Sequence, residues 1–319
     1  QADVYIDPWK GVNKALITHG HSDHARGGSK HYLCTELSKP ILKHRIGASA
    51  NISTLNYGDH VTVNGVKFSF HPAAHIIGSA QIRVEYKGEV WVASGDYKTE
   101  NDSISGQFEV VPCHTYITES TFGLPVYQWR PQAEVIAEIN DWWRDNAEAG
   151  KASIISAYSL GKAQRVLQNV DHSIGSVYCH GAVYQMNEVL RNAGIELPEA
   201  HYVDDEIKWD DLQGSLVIAP GSAFGSPWMK RFKSYSTAAA SGWMALRGRR
   251  RWQSVDRGFV LSDHADWNGL NETIKATGCE RVIVTHGYSD VFAKWLRRQG
   301  YDEITGKTMI GEEEGEARA

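Results

Sequence analysis

The stretch Thr18-His19-Gly20-His21-Ser22-Asp23-His24 packs four ligand-competent side chains into six positions, directly after the apolar run Ala15-Leu16-Ile17. Side chains alternate along an extended strand, so His19 and His21 point the same way and can grip one cation, leaving Asp23 and His24 to face a second. Imidazole with carboxylate suits zinc, and manganese as a substitute. Two divalent cations need more donors than one loop carries. His75 in Ala74-His75-Ile76-Ile77-Gly78, Asp96 in Ser94-Gly95-Asp96-Tyr97 and His286 in Val284-Thr285-His286-Gly287 each close an apolar run. Singly, a His or Asp at a strand end is more often a satisfied structural residue. Together they complete a set: His19, His21 and His75 on one cation, Asp23, His24 and His286 on the other, and Asp96 bridging. Setting His264 aside, the other eight histidines lack ligand spacing and, apart from His180, are read as structural or surface residues.

Such a set needs strands to present it. Residues 1–118 read as strands and hairpins. Asn64-Gly65 turns 61–63 back on the alternating Val66, Phe68 and Phe70, and Lys87-Gly88 separates alternating Ile82, Val84 and Tyr86 from the central run 90–93. The period then changes. Pro131 suits a first helical turn, Ile136, Ile139 and Trp143 recur at helical spacing, and Gly150 suits the stop. Beyond it, strand-like runs at 153–156, 177–178 and 216–219 alternate with helical ones at 162–169 and 183–192. Residues 257–261 return to a strand, followed by a helix over 268–276, a strand over 282–284 and a helix over 291–298. This is α/β layering, with three expected segments: 1–122, an inserted 123–255, and 256–319.

At 319 residues, 42% hydrophobic and 22% charged, the chain can bury a large core, which excludes disordered, coiled-coil and small disulfide-stapled classes. No run is long enough to span a membrane, and residues 1–20 lack a signal core. Cys34, Cys113, Cys179 and Cys279 are scattered with no C-x-x-C pair, which fits a reducing cytoplasm. A start at Gln1 rather than Met predicts a missing initial segment. The net charge of −5 excludes a bulk polycation but leaves room for a local basic patch, Arg247, Arg249, Arg250 and Arg251. The acidic run Glu312, Glu313, Glu314 and Glu316 reads as a solvated tail.

The H-x-H-x-D-H loop with His75, Asp96 and His286 resembles the metallo-β-lactamase superfamily over almost the whole chain. Ile117-Thr118-Glu119-Ser120-Thr121-Phe122-Gly123, Ser262-Asp263-His264-Ala265-Asp266 and Thr285-His286-Gly287 resemble, in order, the signatures of its β-CASP nucleases. Ile6-Asp7-Pro8-Trp9, Gly78-Ser79-Ala80-Gln81, Leu160-Gly161-Lys162-Ala163-Gln164 and 260–267 are most similar to the bacterial DNA-ligase-associated exonuclease family. The resemblance implies an αββα sandwich interrupted by an inserted α/β β-CASP domain. It also implies hydrolysis of DNA phosphodiesters by a hydroxide that two metals activate, with the enzyme acting as an exonuclease in DNA repair. DNA, single-stranded or with ends, and repair proteins such as a DNA ligase are the implied partners; no membrane is. RNA cleavage, small-molecule hydrolysis and an inactive scaffold are the alternatives.

By the same resemblance His264 steadies or protonates the departing oxygen, Glu119 hydrogen-bonds it, and Asp7 supports the metal loop from behind. Asp263 and Asp266 either orient His264 or cap the following helix. Substrate contacts are sought in Lys162 and the backbone before it, in Ser222 within Pro220-Gly221-Ser222-Ala223, in His180, and in Trp243 with Arg247, an aromatic and cationic mix on which bases stack.

Overall fold

Four short strands, β1 (Tyr5–Ile6), β2 (Lys14–Leu16), β3 (His31–Thr35) and β4 (Ile52–Leu55), lie parallel in that order in the computed structural model, which describes residues 1–246 and 255–305. The arginine group from Arg247 and the acidic run after 305 lie outside the described residues. A helix, α1 (Lys39–Ile46), separates β3 from β4, in a region read as strands and hairpins alone. Only Ile41 and Leu42 are buried in it, too few for an apolar period; its signals are a proline in the first turn and Lys43, His44 and Arg45 in the last.

The second sheet begins with the two expected hairpins. β5 (His60–Val63) pairs with β6 (Val66–Pro72), with Asn64 and Gly65 both at positive φ between them. β7 (Ala80–Tyr86) pairs with β8 (Glu89–Ala93) around Lys87 and Gly88. From β8 the sheet turns parallel, through β9 (Thr115–Glu119). After a long excursion of the chain it continues through β16 (Arg281–Thr285) and β17 (Asp302–Thr305), giving the order β17-β16-β9-β8-β7-β6-β5. Alternation along β2 sends Leu16 to one face, where it packs with Phe68, Phe70 and Ile82 between the sheets. Ala15 and Ile17 face the other way, against Cys34 and Leu42 of α1. The far face of the larger sheet, with Val92, Tyr116, Val282 and Val284, is covered by Leu270 and Ile274 of a helix at Trp267–Thr277 and by Phe292 and Leu296 of another at Ser289–Arg298. The layers are helix, sheet, sheet, helix.

A second unit, Trp129–Asp263, is built on six parallel strands. They are β10 (Ala152–Ser156), β11 (Val177–Cys179), β12 (His201–Tyr202), β13 (Leu216–Ala219), β14 (Tyr235–Ala240) and β15 (Arg257–Phe259), in the order β12-β11-β13-β10-β14-β15. Ile155 and Ile218 pack under α2 (Gln132–Glu148), α3 (Lys162–Asn169) and α4 (Gly181–Asn192); Ile154 and Val217 face Leu212 of the short α5 (Trp209–Leu212), Met229 and Phe232. The helices at Trp267–Thr277 and Ser289–Arg298 become α6 and α7. β14 was not expected from sequence, because Ala238, Ala239 and Ala240 carry little hydrophobic signal. The units divide after Gln128 and Asp263 rather than after 122 and 255. β15 pairs with β14, which draws 257–259 into the second unit, while Tyr127 meets the Tyr288 hydroxyl at 3.1 Å and accepts a bond from Trp267 N, which keeps 123–128 in the first. Among the described residues no helix is long and apolar enough to cross a membrane.

Candidate metal centre

The strand ends of the first unit converge. His19 and His21 follow β2, His75 follows β6, Asp96 follows β8, Glu119 ends β9 and His286 follows β16. Three residues at or beside these positions have unusual backbone. Asp7, Ala74 and His286 take positive φ values of 43°, 56° and 55°, a region costing a non-glycine residue roughly 1–2 kcal/mol. Gly95 does so at 57°, where a Cβ would stand 2.8 Å from the Thr18 side chain, so only glycine lets Asp96 approach the loop.

His21 Nδ1 lies 3.2 Å from His19 Nε2 and 3.1 Å from His75 Nε2. Asp96 Oδ2 completes the group at 3.5 Å from His19 Nε2 and 3.8 Å from His75 Nε2. A tetrahedral cation with bonds of about 2.0–2.1 Å holds its donors roughly 3.3–3.4 Å apart, so the spacing fits. The Thr18 hydroxyl donates to Asp7 Oδ2 (2.6 Å), so it accepts from His19 Nδ1 (3.1 Å), leaving His19 Nε2 a bare lone pair aimed at the other two rings.

A second group shares the same carboxylate oxygen. His24 Nε2 lies 3.5 Å from Asp96 Oδ2, and His24, Asp96 and His286 together could hold a metal ion. His24 Nε2 is buried without a hydrogen-bond partner, while its Nδ1 is fixed by Asp7 Oδ2 at 2.8 Å. Asp7 also accepts from Thr18 N at 2.8 Å, so one carboxylate ties β1 to the loop and turns the ring. Asp23 stands at the margin, half-buried, its Oδ2 3.7 Å from His24 Nε2. Burial pushes His19 and His286 below the ordinary imidazole range and keeps both as neutral donors. Burial opposes charge on His24 too, but Asp96 and the hydrogen bond to Asp7 prevail and hold it above that range. Asp96 is held well below the carboxylate range because, against its burial, His24 and His19 favour its charge.

Beside these groups, Glu119 is 1% exposed; its Oε2 meets His264 Nδ1 at 2.8 Å and its Oε1 accepts from Tyr97 N at 2.7 Å. The His264 ring packs on His75, with centroids 4.5 Å apart.

No family model matches the chain. Over 307 residues it is 29% identical to a probable DNA ligase of Opitutus terrae, an alignment covering 95% of this chain and 29% of that protein. An RNase J-like protein of Methanocaldococcus jannaschii is 25% identical over 354 aligned positions, covering 87% of this chain and 82% of the relative. These relatives are β-CASP nucleases of the metallo-β-lactamase superfamily, and the chain is similar to them along most of its length. A crystal structure of a protein of unknown function from Enterococcus faecalis shares the fold, with a TM-score of 0.63 at 12% identity, over 92% of this chain and 79% of that one. The chain spans less than a third of the length of the Opitutus relative.

The remaining sequence-based candidates lie in the second unit and fare unevenly. Lys162 is not open to a phosphate: it is 1% exposed, with its Nζ 3.5 Å from Asp263 Oδ2, and Arg165 pairs with the same carboxylate. Asp263 is thereby an ion-pair partner, and Asp266 is the cap of α6, accepting from Gly269 N at 2.8 Å. His180 caps α4 through Nδ1, accepting from Ala182 N at 3.1 Å, and packs on Trp228. Ser222 is exposed in a 3-10 turn, Trp243 is half-buried in another, and Arg247 lies outside the described residues. Two contributors escaped the sequence reading. Thr18 sets the His19 tautomer, and the Ser79 hydroxyl accepts from His75 N (3.0 Å) and Ile76 N (3.2 Å), fixing the turn that carries His75. Both sit inside the quoted motifs, but only the fold shows what they touch.

Proposed function

We propose that this chain is a two-metal phosphodiesterase that hydrolyses DNA, trimming strands from an end in DNA repair. The observation that carries the reading is the sharing of Asp96 Oδ2 between two donor groups, one of which leaves His24 Nε2 buried without a hydrogen bond, 3.5 Å from that oxygen. His19, His21, His75 and Asp96 would hold one divalent cation and His24, Asp96 and His286 the other, with Asp23 closing the second set; zinc is the best match to these donors and manganese the alternate. When bound, such a pair supplies Lewis acidity to the phosphodiester and to the attacking water. The side chains do the rest. Asp7 holds His24 with Nε2 turned inward, and Thr18 does the same for His19. His264, its Nδ1 bonded to Glu119, passes a proton from Nε2 to the departing oxygen, and Glu119 stabilises the charged ring that does so.

The choice of DNA and an association with a DNA ligase are supported by similarity to the Opitutus protein named a probable DNA ligase; the exonuclease mode rests on the motif resemblance alone. The RNase J-like relative favours a second reading, the same chemistry on RNA. DNA and RNA strands labelled at either end, with and without a 5′-phosphate, decide between them when product lengths are followed over time in zinc and in manganese. The proposal expects progressive shortening of DNA, abolished in Asp23→Ala. Intact DNA with shortened RNA establishes the second reading, and intact strands of both kinds defeat the hydrolytic proposal.

A further inference from the structure

Cys113 and Cys279 stand immediately ahead of β9 and β16, neighbouring parallel strands whose far ends lead to Glu119 and His286. Thr115 pairs with Arg281, and the same register carried two residues back sets Cys113 beside Cys279. Backbone bonds fix both approaches: Cys113 N donates to Thr277 O at 3.1 Å, and Glu280 N and Arg281 N both donate to His114 O, at 3.1 and 3.2 Å. Neighbouring strands run about 4.8 Å apart, inside the roughly 4.4–6.8 Å between Cα atoms that a disulfide spans. The thiols touch. The hydrogen-bonding contact between them draws the Cys279 thiol down to about 7 and pushes Cys113 up, and Cys279 Sγ when protonated donates to Ile274 O at 3.8 Å.

The other two cysteines set the contrast. Cys34 and Cys179 are 0% exposed, and burial pushes each thiol up to about 12; Cys113 and Cys279 are buried too but keep a small exposed fraction, 9% and 5%. Thiolate character together with access marks the reactive cysteine.

We propose that Cys113 and Cys279 form a reversible dithiol–disulfide site whose oxidant is a low-molecular-weight disulfide. The Cys279 thiolate attacks one sulfur of the reagent, breaking its S–S bond and releasing one small thiolate. Cys113 loses its proton to solvent and attacks the Cys279 sulfur of the mixed disulfide, expelling the second small thiolate. One protein S–S bond replaces two S–H bonds, and the two electrons leave on the reagent, which departs as two thiols. The bond ties the starts of β9 and β16 and closes a loop containing the whole second unit, so it restrains the unfolded chain strongly. It is independent of the proposed metal chemistry.

The test treats the full chain with oxidised glutathione and counts thiols after denaturation. Two of the four thiols should disappear, with a mass loss of two hydrogens, no retained glutathione, and a non-reduced peptide joining Cys113 to Cys279. The melting temperature should rise by several degrees and return with dithiothreitol. Cys113→Ser should stop at a glutathione adduct on Cys279, and Cys279→Ser should keep all its remaining thiols. Four persisting thiols, a lasting adduct on the unaltered protein, or a bond to Cys34 or Cys179 would overturn the proposal.

Discussion

Replacing Glu119 by glutamine removes one charge at the end of β9 and changes almost no volume. The carboxylate accepts two bonds, from Tyr97 N at 2.7 Å and from His264 Nδ1 at 2.8 Å. A glutamine keeps its carbonyl for Tyr97 and must then turn its NH₂ toward His264, setting donor against donor. The neutral ring can escape by moving its proton to Nε2; the doubly protonated ring cannot. A hydrogen bond to a charged partner contributes about 1.5–3 kcal/mol. If that bond stabilises the proton-donating ring as the leaving oxygen departs, its loss slows turnover by roughly 10- to 150-fold. The donors of the two candidate cation groups do not include Glu119, so the bound metal should stay. The assay measures kcat on an end-labelled oligonucleotide alongside metal per chain by elemental analysis. Metal lost from Glu119→Gln would refute the reasoning and make Glu119 a ligand, as the grouping of Asp96, Glu119 and His264 also permits. An unchanged kcat would remove its role with His264.

Four further outcomes are expected. Asp7→Ala leaves His24 Nδ1 and Thr18 unsupported and should weaken metal affinity by roughly 10- to 100-fold, read by competition with a chromophoric chelator; undiminished affinity rules out the supporting role. His24, held above the imidazole value of 6.5 chiefly by Asp96 once burial is overcome, must give up a proton to coordinate, so adding metal near pH 7 should release protons in weakly buffered solution. In metal-free protein the same raised value stabilises the fold fully below 6.5, and that contribution is lost as pH rises through the folded value, so the melting temperature should fall across that interval. Gly95→Ala combines a positive φ with a Cβ 2.8 Å from Thr18. It should cost about 1–3 kcal/mol in urea unfolding and reduce bound metal, and wild-type values on both counts would contradict the close approach described.

The candidate metal loop stood out because its spacing is local, but the expected strand alternation does not sort it: β2 ends at Leu16, and His24 N and Ala25 N both donate to His21 O in a turn. His75, Asp96 and His286 were legible only as a set, since nothing near any of them distinguishes a ligand from a strand-end cap. The layering of the second unit followed from period changes, yet β14 was missed, since a strand held between β10 and β15 needs no bulky side chains of its own. Lys162 shows the opposite failure. Its place ahead of a helix suggested a phosphate, but tertiary folding encloses it with Arg165 against Asp263, a partner far along the chain. Asp263 and Asp266 were interchangeable in sequence and are separated only by which backbone or cation each one meets.

The seating of β16 against β9 gives the molecule an assembly schedule. On the ribosome, His19, His21, His75 and Asp96 emerge before the second unit, but β16, one of the two neighbours of β9, is translated only after that entire unit. At usual elongation rates of about 5–20 residues per second that interval lasts roughly 10–30 s. Throughout it the nascent polypeptide carries β9 as a bare margin with unpaired amides and carbonyls, the kind of template on which chains aggregate.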